Sequence, residues 1–277
     1  MPSTVCLTPP CAEASMTLVI INSQKITRLA MKLRVLKTLI STAALLAAGA
    51  SQAVIVDFEG AIDSTFAGFA PLLGHNDEIV NKGFYIDAIS NAAEPNAGDL
   101  VGAIIDGADV ANTCVNLSCP INNATTFLAG VNDGLFGIGS TDNALFRIAG
   151  FDASFIGAQG VSFGNPPGYV RLQGVRADGT STTQTFGLST PNAAGAYSFK
   201  SFVTTGAFAT TLFQNVYFFG FACSSANSCS AFSNDQAQFA LDNINVTVVP
   251  EPSTWALMMG GLAAAAALRR RATKTNS

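Results

Sequence analysis

The chain has 277 residues, only 12% of them charged, a formal net charge of −4, and a high content of Gly (25) and Phe (20). Nine of its fourteen basic residues lie in the first 37 or the last nine positions, and residues 54–249 hold five Lys or Arg against sixteen Asp or Glu, a balance of −11. This excludes a nucleic-acid partner, because phosphate contacts need clustered Lys and Arg, and it favours short strands and polar turns over charged amphipathic helices.

Residues 1–30, with Cys6 and Cys11, fit no targeting pattern and read as an upstream extension of the gene. From Met31 the run MKLRVLKTLISTAALLAAGASQA has the order of a signal peptide. Lys32, Arg34 and Lys37 form a basic n-region, residues 39–50 an apolar h-region, and Ser51 and Ala53 the small residues that a signal peptidase accepts. Cleavage after Ala53 is expected, so residues 31–53 are removed and the mature product starts at Val54. About 200 residues then remain, enough for one domain with a sizeable core.

That domain, residues 54–249, reads as all-β. Strands are predicted at 54–58, 84–89, 100–105, 145–151, 169–177, 182–188, 197–203, 212–222 and 238–249, from alternating or short apolar runs bounded by turn residues. No interval carries a sustained helical stripe. Asp178-Gly179 joins two of these runs as a hairpin, since Gly takes positive φ without a Cβ clash. About nine such strands predict a single β-sandwich of jelly-roll kind. The opening Asp57-Phe58-Glu59-Gly60 and the closing Leu241-Asp242-Asn243-Ile244 resemble the terminal strands of carbohydrate-binding-like jelly rolls, and the resemblance implies that first and last strands pair. Residues 91–98 and 224–233 read as surface loops.

Four cysteines survive export, as the close pairs Cys114 with Cys119 and Cys223 with Cys229. An oxidising compartment favours two local disulfides. The alternative is a zinc site of four thiolates, although metal knuckles use shorter spacings. His75 is the lone histidine, so no Ser-His-Asp or Cys-His arrangement can form without it, and its polar neighbours give it the look of a solvated loop residue. Gly137-Ile138-Gly139 lacks the lysine and helix of a phosphate loop. Hard oxygen donors in loops suit a structural calcium, with Asp57, Glu59 and Asp242 as its candidates; the competing reading is that these acids decorate exposed faces. The sequons at Asn116, Asn123 and Asn245 are incidental.

At the far end, residues 250–277, Val249 leads into Pro250, Glu251, Pro252 and Ser253. An apolar stretch over 255–268 follows, opening at Trp255 and closing at Leu268, and then Arg269, Arg270 and Arg271. As a helix the stretch spans about 21 Å at ~1.5 Å per residue, short of the ~30 Å hydrocarbon core, which suits temporary residence in a membrane. The arginines favour the cytoplasmic side, leaving the tripeptide outside. This end resembles the PEP-CTERM sorting domain of Gram-negative, exopolysaccharide-producing bacteria. The resemblance implies export across the inner membrane, cutting near the tripeptide by an exosortase, and a final place at the cell surface or in the extracellular matrix. Just upstream, Gln238, Phe239 and Asp242 resemble the QFxxD signature of one PEP-CTERM subset.

Two functions follow as expectations. One is a non-catalytic surface or matrix protein that binds polysaccharide in biofilm or exopolysaccharide, with signal peptidase and exosortase as processing partners. The other is a secreted sugar hydrolase using paired carboxylates. A cleft with two facing carboxyls would favour the enzyme, and a flat face of exposed aromatics would favour binding.

Overall fold

The computed structural model describes residues 52–59, 71–225, 228–249, 258–263 and 265. The strands in chain order are β1 (Gln52–Val56), β2 (Leu72–Gly74), β3 (Glu78–Asn81), β4 (Phe84–Ile89), β5 (Leu100–Asp106), β6 (Leu117–Ser118), β7 (Thr126–Gly130), β8 (Leu135–Ser140), β9 (Phe146–Phe155), β10 (Gly157–Ala158), β11 (Gly168–Val175), β12 (Ser181–Gly187), β13 (Lys200–Val203), β14 (Asn215–Ser225), β15 (Ser228–Ser230) and β16 (Phe239–Val248). A 3-10 turn over Gly107–Asp109 and short helices over Val110–Thr113 and Gly206–Thr210 interrupt them.

Two seven-stranded antiparallel sheets form a sandwich. The first runs β13-β9-β16-β7-β5-β2, with β1 also on β16; the second runs β12-β11-β14-β8-β4-β3, with β15 on β14. Successive strands repeatedly cross between the sheets, which is the jelly-roll-like connectivity that the strand count anticipated. The first and last strands do pair. Gln52 lies opposite Val248 and Val56 opposite Ile244, so the point of expected signal cleavage and the end of β16 are neighbours.

Period-2 alternation sets which residues fill the space between the sheets. In β4, Phe84, Ile86 and Ala88 are buried while Tyr85, Asp87 and Ile89 are half-buried on the outside; in β11, Val170 and Leu172 are buried while Tyr169, Arg171 and Gln173 face out. The core is dominated by phenylalanine, with edge-to-face pairs Phe84 with Phe146 at 5.4 Å, Phe151 with Phe218 at 5.5 Å and Phe136 with Phe239 at 6.1 Å. Rings in this geometry fill volume at little conformational cost, which suits a core built with few charges around it.

Two expectations need correction. The stretch 224–233 is not wholly loop, since β14 extends to Ser225 and β15 returns beside it, held by a cross-strand disulfide. Strands β2, β3, β7 and β8 were not among the predicted runs. The segments called a signal peptide, the Pro250-Glu251-Pro252 tripeptide and Arg269 to Arg271 lie outside the described residues, except for Gln52 and Ala53 in β1. Within the apolar tail, residues 258–263 and 265 are helical and exposed. No helix among the described residues is long and apolar enough to cross a membrane.

Candidate functional site

The cysteines form the two local disulfides, Cys114 with Cys119 and Cys223 with Cys229, which removes the zinc alternative. The first seats the 107–119 segment on the outer face of the first sheet, in a small second core with Ile105, Phe127 and Ile156. The second joins residues directly opposite each other in β14 and β15.

The QFxxD residues are structural. Gln238 is buried and donates its amide to the Asp235 carbonyl at 3.1 Å, and Phe239 lies fully in the core. Asp242 is 1% exposed. Its Oδ2 accepts from the Asn123 amide at 2.8 Å and the Thr125 hydroxyl at 3.2 Å, and its Oδ1 from the Asn243 backbone N–H at 2.7 Å. Burial pushes its pKa up to about 6, with Asp152 adding to the rise, while the Asn123, Asn243 and Thr125 donors hold it down. The strand bulges here, and Asn243 takes φ 50° and bridges Asp242 to Asp152.

Of the calcium candidates, Glu59 and Asp242 are brought to the same turn. Glu59 accepts the Thr126 N–H, next to the Thr125 that serves Asp242. Asp57 is instead paired with Lys82. Among the described residues no group of three or more His, Cys, Asp or Glu side chains is placed to hold a metal ion. The sequon residue Asn123 is committed to Asp242.

His75 is less solvated than its sequence context indicates. Its Nδ1 accepts the Ser90 backbone N–H at 3.1 Å, and the Ser90 hydroxyl donates to Asp99 at 3.0 Å. Serine, histidine and aspartate thus meet, but the hydroxyl donates to the carboxylate while the imidazole accepts a backbone N–H, which is not the Ser-His-Asp order of a nucleophilic triad.

A groove of about 1030 Å³ runs beside Glu59, Asp106 and Asp109. Its carboxylates are engaged locally. Asp106 caps the 3-10 turn by accepting the Ala108 N–H at 2.9 Å, and both oxygens of Asp109 accept from the Asn112 amide.

The feature that sequence reading missed is the outer face of the second sheet. Residues opposite one another across its ladders share this face, so Tyr169, Arg171 and Gln173 of β11 stand beside Phe221, Phe219 and Tyr217 of β14. Thr185 and Thr183 of β12 flank Arg171 and Gln173 on the other side. Beyond β14 come Gly137 and Gly139 of β8, then Asp87 and Tyr85 of β4, then Glu78 and Val80 of β3. Three of the four tyrosines therefore lie here, and the fourth, Tyr197, packs in the core.

The two glycines explain how the rings sit. A Cβ on Gly137 would stand 3.0 Å from the Tyr217 ring, and one on Gly139 would collide with the Tyr85 hydroxyl. Tyr85 reaches across β8 to donate its O–H to Asn215 Oδ1 at 2.8 Å. Burial, then Asp87, keep this phenol above its usual pKa, so it remains a neutral donor. Both side chains therefore lie close against the glycine backbone of β8. At the far end Phe232, 42% exposed, packs on Phe219 at 5.2 Å and Phe219 on Phe221 at 5.7 Å.

Phe232 is placed by a buried carboxylate that carries no local sequence signal. Asp133, 1% exposed, accepts the backbone N–H groups of Ser233 (2.7 Å), Asn234 (3.0 Å) and Asp235 (2.9 Å) on Oδ2 and that of Ala237 (2.7 Å) on Oδ1.

Past β16, residues 248–271 match the family model described as the PEP-CTERM protein-sorting motif. The chain carries a PEP-CTERM sorting domain. In a PEP-CTERM chain the motif implies export, processing by an exosortase-type system, and a surface or extracellular location. The motif begins at the last residue of β16, so every described strand lies upstream of the tripeptide. No curated protein matches the chain. Among solved structures, it is similar to TmCBM61 in complex with beta-1,4-galactotriose, at 7% identity over 64% of this chain and 92% of that one, TM-score 0.27. It is also similar to the apo form of a cyclase from Fischerella sp., at 14% identity over 72% and 97% of the two chains, TM-score 0.38. A Family 16 carbohydrate binding module is similar at 15% identity over 52% and 84%, TM-score 0.24. At these scores the fold stands on the chain's own strand pairing.

Proposed function

We propose that the sandwich is a non-catalytic polysaccharide-binding domain, displayed on the surface or in the extracellular matrix of a Gram-negative bacterium after exosortase processing. Exopolysaccharide or biofilm polymer is its target. The single observation behind this reading is the outer face of the second sheet. There Tyr217 and Tyr85 reach over glycines of β8, and hydroxyl, amide and guanidinium groups from Thr183, Thr185, Gln173 and Arg171 line the β11 and β12 side of Tyr217. A sugar ring has an apolar C–H face and a polar rim, so it is matched by an aromatic plane edged with hydrogen-bonding groups. An extended polymer needs an open face rather than an enclosed pocket. Replacing Tyr217 with Ala, with the fold checked by circular dichroism, is expected to abolish retardation of the chain in gels containing soluble polysaccharide. Unchanged retardation of a folded Y217A variant would remove the support for this face.

A second reading has its own observation. Glu78 and Asp87 are directly opposite in β3 and β4 on the same face, and burial, followed by the Glu78 charge, raises the Asp87 pKa. Glycoside hydrolysis uses a pair of facing carboxyls, one of them an acid with a raised pKa. Release of reducing ends from a polysaccharide, lost in E78Q and D87N, would favour the hydrolase.

A further inference from the structure

We infer that this face selects acidic polysaccharide, with Arg171 holding the carboxylate of a uronic acid residue; the inference rests on the polysaccharide-binding reading. Arg171 lies in the middle of β11, between Tyr169 and Gln173. Its guanidinium carbon stands 4.6 Å from the centre of the Phe221 ring, and its Nε donates to the Thr185 hydroxyl at 2.8 Å. These two contacts fix the guanidinium plane, while the terminal nitrogens donate to no described residue. A planar, oriented fork of N–H groups matches a carboxylate bidentately, which an ammonium group cannot do.

The charge distribution gives the arrangement its meaning. Residues 54–249 carry a balance of −11, so an acidic polymer is repelled over most of the surface. The other cations are occupied or elsewhere. Lys82 pairs with Asp57, Arg176 is tied to Thr180 and Thr182, Lys200 lies against Phe202 in β13, and Arg147 is on β9 of the first sheet. Arg171 is therefore the one cation among the described residues of the aromatic face. The acidic pair Glu78 and Asp87 sits at the opposite edge, with Asp87 three strands away. At ~4.8 Å per strand this is about 14 Å, beyond the ~8 Å screening length of physiological salt, so the pair leaves the Arg171 field intact. Tyr169 and Tyr217 lie on either side of Arg171 along the strands, about 13 Å apart at ~3.3 Å per residue, so a chain of sugars running between them passes the fork with a uronate carboxylate within its reach.

Affinity electrophoresis of the full chain in gels containing polygalacturonate, a neutral β-glucan or dextran sulfate tests this, with R171Q, R171K and Y217A run alongside. Polygalacturonate should retard the wild type more than either other polymer. R171Q should weaken that retardation about 10-fold or more while leaving any retardation by the neutral glucan unchanged, and R171K should recover only part of it. Equal retardation of R171Q and wild type by polygalacturonate would overturn the uronate assignment, as would tighter binding of dextran sulfate. Either result leaves the binding face standing if Y217A still abolishes retardation. No retardation of the wild type by any polymer would overturn the binding reading itself.

Discussion

Replacing Asp133 with Asn should destabilise the domain by about 3 to 4 kcal/mol, although the change removes no volume. Oδ2 accepts three backbone N–H groups and Oδ1 one, at 2.7 to 3.0 Å, in a site 1% exposed. A carboxamide has a single acceptor oxygen. Its best orientation keeps the three amides of residues 233–235 and turns its NH₂ toward the Ala237 N–H, setting two donors against each other. One charge-assisted bond, about 1.5 to 3 kcal/mol, is lost and a buried N–H is left unsatisfied. The three remaining bonds weaken as the negative charge disappears. For a domain of this size the loss corresponds to roughly 10 °C in Tm. Urea unfolding followed by circular dichroism measures it, with D235N as a control, because that exposed side chain should matter by under about 0.5 kcal/mol. A D133N variant within about 1 kcal/mol of wild type would mean that the buried carboxylate does not anchor this loop. The same loop presents Phe232, so loss of the anchor should also weaken polysaccharide binding.

Reducing the disulfides should remove on the order of 2 kcal/mol each, because the loops they close are short; a non-reduced peptide map showing free thiols at all four positions would contradict the pairing. Asp242 carries a folded-state pKa raised from 3.8 to about 6, so its ionised form is the disfavoured one in the fold. Stability from this group is fully present below the unfolded pKa and lost as pH rises through about 6, at most about 3 kcal/mol. The Tm difference between wild type and D242N should therefore change between about pH 4 and 6, and parallel profiles would count against the buried carboxylate. Replacing Pro250, Glu251 and Pro252 should leave export intact and block release, which fractionation and immunoblotting in an exosortase-positive host would detect; normal processing would argue against the sorting role.

Much of the architecture was legible locally. The Asp178-Gly179 hairpin appears as drawn, with Gly179 at φ 81° and Asp178 accepting the Thr180 N–H at 2.9 Å. The cysteine pairs were legible for the same reason, since each partner lies within six positions. Strand β8 was not, because Gly137 and Gly139 lower its strand propensity. They are there for Tyr217 and Tyr85, which come from β14 and β4, and no local window holds that information. The Asp133 anchor was hidden likewise, its partners lying about a hundred positions away. The aromatic face was half visible. Alternation in 169–177 separates Tyr169, Arg171 and Gln173 from Val170 and Leu172, but only the sheet order puts them beside Tyr217, Phe219 and Phe221.

Binding of polysaccharide through the outer face of the second sheet is open to direct test. A glycan array probed with the wild-type chain and with a Y169A/Y217A variant of equal stability measures it most directly. The wild type should bind a set of extended glycans, and the variant should lose that binding. An array on which both proteins bind alike, or neither binds, would contradict it.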